Sequence, residues 1–508
     1  MFYSWFNSII KGYLKYRYGR IKDMQQNALQ LQNQNLIQLL EKLALTEYGK
    51  QFNAGRIENS SDYAKALPIV KYEDIFPYIE RMMYGEESVL WPGKVNCFAK
   101  SSGTTNDRSK FIPFTEEILN DNHVNASWDA MAILYHQRPE AKIFDKKNLL
   151  MGGSLSRFEG NKDVLTGDVS ALLLSKMPAV GRPFYTPDFE TAIMKDWESK
   201  IERMATACSN EDVTMFGGVP TWLIVLFDRI LELTGKANMM EVWPNVRTYF
   251  HGGVGFDPYV DQFKSYFPSP DFQYYEVYNA SEGYFAIQDE PEENGMLLLT
   301  DNATYYEFIP AEDIDNEHAD VLTIESLEAD RDYAIVISNA SGLWRYMPGD
   351  LIRVVCLKPL RIKVCGRTKQ YINAFGEELM VSNTDRAIRE VCAMTSSSVR
   401  EYTAAPIYMH HGVKGGHQWI IEFVKPPEDI KVFEALLDKQ LRAINSDYDA
   451  KRTGDIALNP LTIEMVPPGT FLSWMAARGK LGGQNKVPRL SNNRKYLDEI
   501  LTFISVQH

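Results

Sequence analysis

Four hydroxyl side chains and a glycine form one short run, followed by a lysine: Ser101, Ser102, Gly103, Thr104, Thr105 and Lys110. Hydroxyls and backbone N–H groups donate hydrogen bonds to phosphate oxygens, and a lysine adds positive charge, so the run suits a polyphosphate. It is not a Walker A loop, because the second glycine is absent and a proline-containing strand, not a helix, comes next. A plain polar turn between two strands explains these residues equally well.

A second polar stretch follows a predicted strand that ends at Val277. Tyr278 can lie against a purine ring, and the carboxylate of Glu282 can hold a hard cation such as Mg²⁺. The alternative is a strand-to-helix turn in which Ser281 caps the helix and Glu282 lies in its first turn.

A third candidate is Asp350, which follows Pro348 and Gly349. A carboxylate accepts two hydrogen bonds from the vicinal hydroxyls of a ribose. An aspartate after proline and glycine is also a common solvated turn residue, and that alternative stays open.

Two further stretches are less distinctive. Residues 366–378 begin with Gly366 and Arg367, carry charged side chains, and are typical of a linker. Residues 482–489 form a glycine-rich segment that presents Lys486 near the C-terminus. Without other information, Lys486 is best explained as part of a surface loop.

These stretches lie within a chain whose strands and helices alternate. Apolar residues at helical spacing predict a helix over 27–45, and further helices are predicted at 116–135, 188–207 and 221–232. Short apolar strands are predicted at 94–99, 213–216, 247–250 and 273–277. The alternation indicates an α/β body with layered sheets.

Antiparallel strands are predicted to close this body as a small barrel or curled sheet, at 295–300, 304–309, 321–324, 333–338 and 351–355. After residue 369 the pattern changes to strands at 402–409, 419–424 and 461–466 around a helix with one apolar face. This part, about 140 residues long, has the size of an ordinary domain.

The composition excludes several classes of protein. The chain has 508 residues, 45% hydrophobic residues and a formal net charge of −13, which fits a globular protein and argues against one that mainly binds nucleic acid. Its five cysteines are scattered, so we expect them to be reduced, in a cytoplasm. The aromatic first ten residues lack a cleavage site and the apolar runs are too short for a membrane span, so we expect a short amphipathic helix docked on the body or on a partner.

The order of these stretches resembles a known family. The serine–glycine–threonine run, the Y-x-x-S-E-G-Y stretch from Tyr278, and the W-R-Y-x-x-G-D-x-x-R-V stretch from Trp344 are followed by Gly366-Arg367 and by a segment ending in Q-x-K-V-P-R. Together they are similar to the auxin-responsive (Gretchen Hagen) acyl acid amido synthetases, which belong to the adenylate-forming superfamily with acyl-CoA synthetases and firefly luciferase. The resemblance covers roughly residues 60–500.

The resemblance implies a fold and a reaction. The fold is α/β, with a large N-terminal domain of layered β-sheets with helices plus a small β-barrel (residues 1–367), followed by a small mobile α+β C-terminal domain (residues 368–508) that turns near Thr368. The reaction is ATP-dependent adenylation of a carboxylic acid, followed by acyl transfer to an amine, expected to be an amino acid. ATP and Mg²⁺ are the implied cofactors.

The resemblance also implies residue roles. The run from Ser101 to Thr105 and Lys110 would surround the phosphates, while Tyr278, with Ser281 in the same motif, would lie against adenine. Glu282 would face magnesium and act in catalysis, and Gly252 and Gly253 would border the adenine and acyl pocket. Asp350 would hold the ribose, Arg367 would lie at the hinge, and Lys486 would be the mobile catalytic lysine. The chain departs from the family's pattern at Met347, where plant members often have arginine, and in the missing second glycine of the first run.

Three alternatives remain open at this stage. An acyl-CoA ligase would share the adenylation step and every nucleotide residue. A non-catalytic nucleotide-binding or partner-binding protein would keep the fold without turnover. A zinc site at His410, His411 and His417 matches no known ligand spacing.

Overall fold

The computed structural model describes residues 2–105, 108–290, 295–314, 316, 319–367, 371–409, 414–453, 458–478 and 487–507, with only the backbone described for residues 2–8, 101–105, 108–109, 258 and 506–507. The helices are α1 Phe2–Leu43, α2 Glu47–Gln51, α3 Ser60–Ala66, α4 Tyr72–Met83, α5 Asn125–Gln137, α6 Val169–Lys176, α7 Phe189–Ala192, α8 Trp197–Cys208, α9 Pro220–Thr234, α10 Met239–Val242, α11 Val260–Tyr266, α12 Val381–Thr395, α13 Ile430–Ile444, α14 Ser446–Arg452, α15 Thr470–Ala477 and α16 Lys495–Gln507.

The strands are β1 Cys97–Thr105, β2 Arg108–Pro113, β3 Lys147–Leu150, β4 Leu155–Phe158, β5 Asn161–Gly167, β6 Tyr185–Thr186, β7 Val213–Gly218, β8 Thr248–His251, β9 Gln273–Ala280, β10 Gly283–Ile287, β11 Met296–Leu298, β12 Thr304–Pro310, β13 Asp332–Asn339, β14 Leu343–Tyr346, β15 Asp350–Leu357, β16 Leu360–Arg367, β17 Tyr371–Ile372, β18 Leu379–Met380, β19 Ser398–Ile407, β20 Gly416–Lys425 and β21 Thr462–Val466.

A twelve-stranded sheet forms the centre of the large N-terminal part, in the order β12-β13-β15-β16-β11-β10-β9-β8-β7-β3-β6, with β14 on β13. The pairs from β6 to β9 are parallel, and the pairs from β9 to β12 are antiparallel. The strand pairing therefore changes from parallel to antiparallel at β9.

The antiparallel strands extend this sheet and do not form the separate small barrel that the sequence led us to expect. The predicted strand at 321–324 is also wrong. Only Leu322 bridges to Phe308, and a 3₁₀ turn follows at Ile324–Ser326. The predicted helix at 188–207 is divided into α7 and α8, because Asp188 and Asp196 each accept a hydrogen bond from a backbone N–H of a first helical turn.

Helix α1 docks along the body. This is one of the two alternatives that the sequence predicted. Its buried Leu14 and Ile21 pack in the same apolar cluster as α5. Further along, the Gln32 amide donates to the carbonyl oxygens of Thr300 and Thr304 at 2.9 and 2.8 Å.

No helix in the described part of the chain is long and apolar enough to cross a bilayer.

The C-terminal part contains the predicted hairpin and helix. β19 and β20 pair antiparallel, β21 joins β20 in parallel, and α13 buries one apolar face. This part packs against the large one through a shared apolar cluster, and the Tyr259 hydroxyl donates to the Ala374 carbonyl oxygen at 2.8 Å. The division into domains at 367/368 stays a prediction.

Candidate active site

Asp350 lies at the centre of the candidate site, at the start of β15, and it is 7% exposed. The Tyr278 hydroxyl donates to its Oδ2 at 2.6 Å, and Arg367 Nε lies 2.9 Å from its Oδ1. Asp350 and Arg367 are direct cross-strand partners of β15 and β16, so the sheet register places this ion pair. Each carboxylate oxygen thus accepts one hydrogen bond and keeps further acceptor capacity.

The charges around this pair are shielded from water. Burial raises the pKa of Tyr278 well above its usual value, and the neighbouring Asp350 carboxylate adds to the increase. Burial alone would lower the pKa of Arg367, but Asp350 and Glu378 outweigh it, so the guanidinium stays charged. Arg367 also lies 3.6 Å from Oε2 of Glu378, so two carboxylates flank this arginine.

Ser281 and Glu282 form the tight turn of the β9–β10 hairpin, so the strand-to-helix alternative is wrong. The Ser281 hydroxyl donates to the Lys100 carbonyl oxygen at 3.5 Å, which joins this turn to β1. The Asn339 amide donates to the Glu282 carbonyl oxygen at 2.7 Å. The hairpin thus connects the first and second sequence stretches.

The Glu282 side chain is 7% exposed and lies within reach of several charges. Burial raises its pKa and Asp350 raises it further, whereas Lys110 and Arg367 act in the opposite direction. Lys110 Nζ lies 5.6 Å from the ring centroid of Tyr72. Glu282 is therefore a buried carboxyl whose charged form is disfavoured by burial, which Lys110 and Arg367 offset only in part.

The serine–glycine–threonine run forms the outer half of β1 and is not a loop. Ser101 is the cross-strand partner of Lys110, and Thr105 pairs with Arg108. The pairing is irregular between Ser101 and Thr104, which places a β-bulge at the glycine. Bulges are common beside active sites, because they redirect side chains and backbone groups.

Gly252 and Gly253 follow β8 at its carboxyl end. A Cβ atom on Gly252 would lie 2.4 Å from the Val277 carbonyl oxygen, so only glycine allows this close approach to β9. Gly253 has a φ of +84°, and its carbonyl oxygen accepts a hydrogen bond from Asn373 Nδ2 at 3.4 Å. The two glycines thus lie beside Val277 of β9 and Asn373, which follows Arg367 in the chain.

The structure brings most predicted residues together and leaves others aside. Contacts or charge interactions connect Tyr278, Glu282, Lys110, Asp350 and Arg367, whereas the Ser281 hydroxyl contacts the Lys100 carbonyl oxygen. Lys486 and Thr368 lie outside the described residues, as do the side chains from Ser101 to Thr105.

The zinc alternative finds no support in the described residues. His410 and His411 lie outside them, and His417 Nε2 is 2.8 Å from Oε1 of Glu377 with both side chains buried. Within the described ranges, no group of three histidine, cysteine or acidic residues is placed to hold a metal ion.

Sequence reasoning missed several residues of the site. Burial and the nearby Glu282 carboxylate raise the pKa of Tyr346, which belongs to the stretch already singled out. Tyr72 accepts a hydrogen bond from Phe111 N at 2.7 Å, and Asn339 holds the hairpin turn. Neither Tyr72 nor Asn339 carries a local motif, since both reach the site through long-range packing.

Family models match three successive parts of the chain. The model of the GH3 family N-terminal domain matches residues 17–272, that of the GH3 family central domain matches 297–367, and that of the GH3 family C-terminal domain matches 382–495. The chain is 22% identical to the 4-substituted benzoates-glutamate ligase GH3.12 of Arabidopsis thaliana, over 96% of both chains. It is also 22% identical to the jasmonoyl–L-amino acid synthetase JAR4 of Nicotiana attenuata, over 91% of both chains.

Two solved structures share the fold. The GH3.15 acyl acid amido synthetase in complex with 2,4-DB matches with a TM-score of 0.63 and 18% identity, over 96% of both chains. A 2-hydroxyisobutyryl-CoA ligase in complex with 2-HIB-AMP and CoA matches with a TM-score of 0.54 and 13% identity, over 99% of this chain and 93% of that one. The two-part architecture is therefore shared with these two ligases.

Proposed function

Because the chain belongs to the GH3 family, we propose that it joins a carboxylic acid to an amino acid through an acyl-adenylate. The curated relatives that align along more than nine-tenths of both chains are named as amido synthetases or acid–amino acid ligases. The observation that carries the proposal is the convergence of Tyr278 and Arg367, near the carboxyl ends of β9 and β16, with Asp350 at the start of β15, beside the buried Glu282.

The reaction has two steps. A carboxylate is a poor acyl donor, because its oxygen is a poor leaving group. In the first step a carboxylate oxygen attacks the α-phosphorus of ATP, and pyrophosphate leaves. In the second step the amine nitrogen attacks the acyl carbon, AMP leaves with the electron pair of the broken bond, and the nitrogen loses a proton. Both steps develop negative charge on phosphate oxygens, which positioned donors and cations stabilise.

Asp350 is the proposed ribose ligand. Tyr278 and Arg367 fix its carboxylate in one orientation, and each oxygen retains acceptor capacity for one of two vicinal hydroxyls. The ring of Tyr278 would lie beside adenine, with the close approach at Gly252 shaping the same wall. Lys110 and the bulged run on β1 would meet the phosphates.

Glu282 is the proposed protein ligand of Mg²⁺. Its buried carboxylate has a raised pKa, which a bound cation would lower, so the residue fits a hard cation. Magnesium commonly combines one or two carboxylates with substrate phosphates and water, so Glu282 would suffice as the protein ligand. When bound, the ion would supply charge stabilisation at the phosphates.

Lys486 is the proposed mobile donor of the small domain. In this proposal, it stabilises the transition state of adenylation and is then withdrawn when the small domain turns near Thr368. Arg367 lies at the C-terminal boundary of the large part and contacts Asp350 directly. It would therefore connect this movement to the nucleotide.

A carboxylic-acid library, assayed for ATP-dependent pyrophosphate release, tests the proposal. Each active acid is then incubated with pooled amino acids or with coenzyme A, and the products are identified by mass spectrometry. We expect amides with the amino acids. Thioesters alone would identify an acyl-CoA ligase, which shares the fold. No ATP-dependent pyrophosphate release with any acid would refute adenylation and favour a nucleotide-binding or partner-binding protein.

A further inference from the structure

A second group of charged side chains lies where the small domain meets the large one. Lys451 and Asp447 belong to α14, Glu378 follows β17, and Trp222 lies in the first turn of α9. Glu378 is also the second carboxylate beside Arg367, so this group borders the candidate nucleotide site directly. None of these residues except Glu378 belongs to the predicted stretches.

The group contains two N–H donors, Lys451 Nζ and Trp222 Nε1. Lys451 Nζ lies 4.2 Å from the ring centroid of Trp222, and Trp222 Nε1 has no hydrogen-bond partner among the described residues. A Cβ atom on Gly376 would lie 3.7 Å from Lys451 Nζ and 3.8 Å from Trp222 Nε1. Both nitrogen atoms therefore flank the same position, which glycine leaves free.

The group also contains two carboxylates, those of Asp447 and Glu378. Asp447 Oδ2 and Glu378 Oε2 accept no hydrogen bond from any described residue. Asn445 positions both residues, because its Oδ1 accepts from Asp447 N at 3.0 Å and its Nδ2 donates to the Glu378 carbonyl oxygen at 3.3 Å. Burial and the Glu378 charge raise the pKa of Asp447 to about 7, while Lys451 and Lys100 oppose them.

A buried, unsatisfied donor or acceptor is costly, so such groups in a native protein call for a partner. Here Lys451 and Asp447 lie one turn apart on α14 with interacting charges, and the group contains both N–H donors and carboxylate acceptors at the border of the site that would hold the acyl-adenylate. We propose that this group binds the acceptor amino acid, with its carboxylate at Lys451 and Trp222 Nε1 and its ammonium at Asp447 and Glu378. This inference rests on the proposed amide-forming function and locates its second substrate.

The experiment compares an amino acid with its α-carboxamide, which keeps the shape and removes the negative charge. The acceptor pair is the amino acid of the standard twenty that gives the most amide, together with its carboxamide. Adenylation is followed by acid-dependent pyrophosphate exchange in the same preparations. The variants are Lys451→Met and, as a control on the exposed face of α13, Lys439→Met.

We expect Lys451→Met to raise KM for the amino acid by about 10- to 150-fold, the range for losing one hydrogen bond to a charged group. KM for the carboxamide should remain within about twofold, and Lys439→Met should change neither value. Trp222→Phe, which keeps an aromatic ring at this position and removes the indole N–H, should raise KM for the amino acid and not for the carboxamide. If Lys451→Met no longer folds, Trp222→Phe alone tests the proposed carboxylate site.

Three results would overturn the inference, and they differ from one another. Equal increases in KM for both acceptors, or no increase for either, would remove Lys451 and Trp222 from the carboxylate site while leaving the proposed function intact. Amide formation that does not distinguish an amino acid from its carboxamide in the wild-type protein would show that no carboxylate is recognised. Absent pyrophosphate exchange in the wild-type protein would refute the proposed function itself, and the inference with it.

Discussion

Asp350→Asn is the change that examines the candidate nucleotide site most directly. Asparagine has the same shape but only one acceptor oxygen, and the Tyr278 hydroxyl and Arg367 Nε already occupy both oxygens of the aspartate. At least one hydrogen bond to the ribose should therefore be lost. A hydrogen bond to a charged group contributes about 1.5–3 kcal/mol, so we expect Kd for ATP to rise by about 10- to 150-fold.

Isothermal titration calorimetry with ATP and with 2′,3′-dideoxy-ATP measures this effect. The wild-type protein should prefer ATP, and the variant should bind the two nucleotides nearly equally. Asp332→Asn is the matched control, because Asp332 forms a similar but more exposed pair with Arg353, at 2.6 and 2.9 Å, between the neighbouring strands β13 and β15. Its Kd for ATP should not change.

Two results would contradict the ribose assignment: an unchanged Kd for ATP in Asp350→Asn, or an equal loss of affinity for ATP and the dideoxynucleotide. The second result would mean that the variant disturbs the site in general. Removing the charge leaves Arg367 with Glu378 as its nearby carboxylate, so the variant should also be less stable. Binding is therefore measured well below its thermal unfolding transition.

Three other predictions concern single side chains. Glu282→Gln should raise the magnesium concentration needed for half-maximal pyrophosphate exchange, and an unchanged magnesium titration would remove Glu282 from the metal site. Lys486→Ala should lower the rate of pyrophosphate exchange by about 100- to 1000-fold, as for loss of a positioned donor. Amide formation from a supplied acyl-adenylate should be spared. Equal losses in the two reactions would contradict the assignment of Lys486 to the first step. Burial lowers the pKa of His123 from 6.5 to about 4, so the unfolded chain binds a proton between these values that the folded chain does not. The free energy of unfolding should thus fall by about 1.4 kcal/mol per pH unit from pH 6.5 down to about 4 through this residue. His123→Phe should remove that slope in urea titrations, and an unchanged slope in the variant would contradict this assignment.

The alternation of strands and helices was predictable from the sequence because it depends on local periodicity. Helix α9 and strands β7, β8 and β9 lie close to their predicted ranges. The errors have local causes too. A serine followed by a glutamate matches a helix cap as well as a hairpin turn, and only the pairing of β9 with β10 distinguishes them at Ser281. The break between α7 and α8 depends on a second capping aspartate, Asp196, inside an apolar pattern.

The site was less predictable, because its geometry comes from register and long-range packing. Asp350 and Arg367 are neighbours only because β15 and β16 pair in one register, which contains two irregularities. The order of motifs indicated which residues to compare, but no spacing in the sequence indicates that Tyr278 donates to Asp350. Trp222 and Lys451 lie more than 200 positions apart, and no motif connects them.

The long N-terminal helix has a consequence for biosynthesis. Gln32 hydrogen-bonds to Thr300 and Thr304, 268 and 272 positions further along the chain. At about 5–20 residues per second, roughly 15 to 55 s of translation separate the appearance of the two partners. During that time the apolar face with Leu14 and Ile21 has only part of its final surroundings, so nascent chains should need a chaperone there until the central strands emerge.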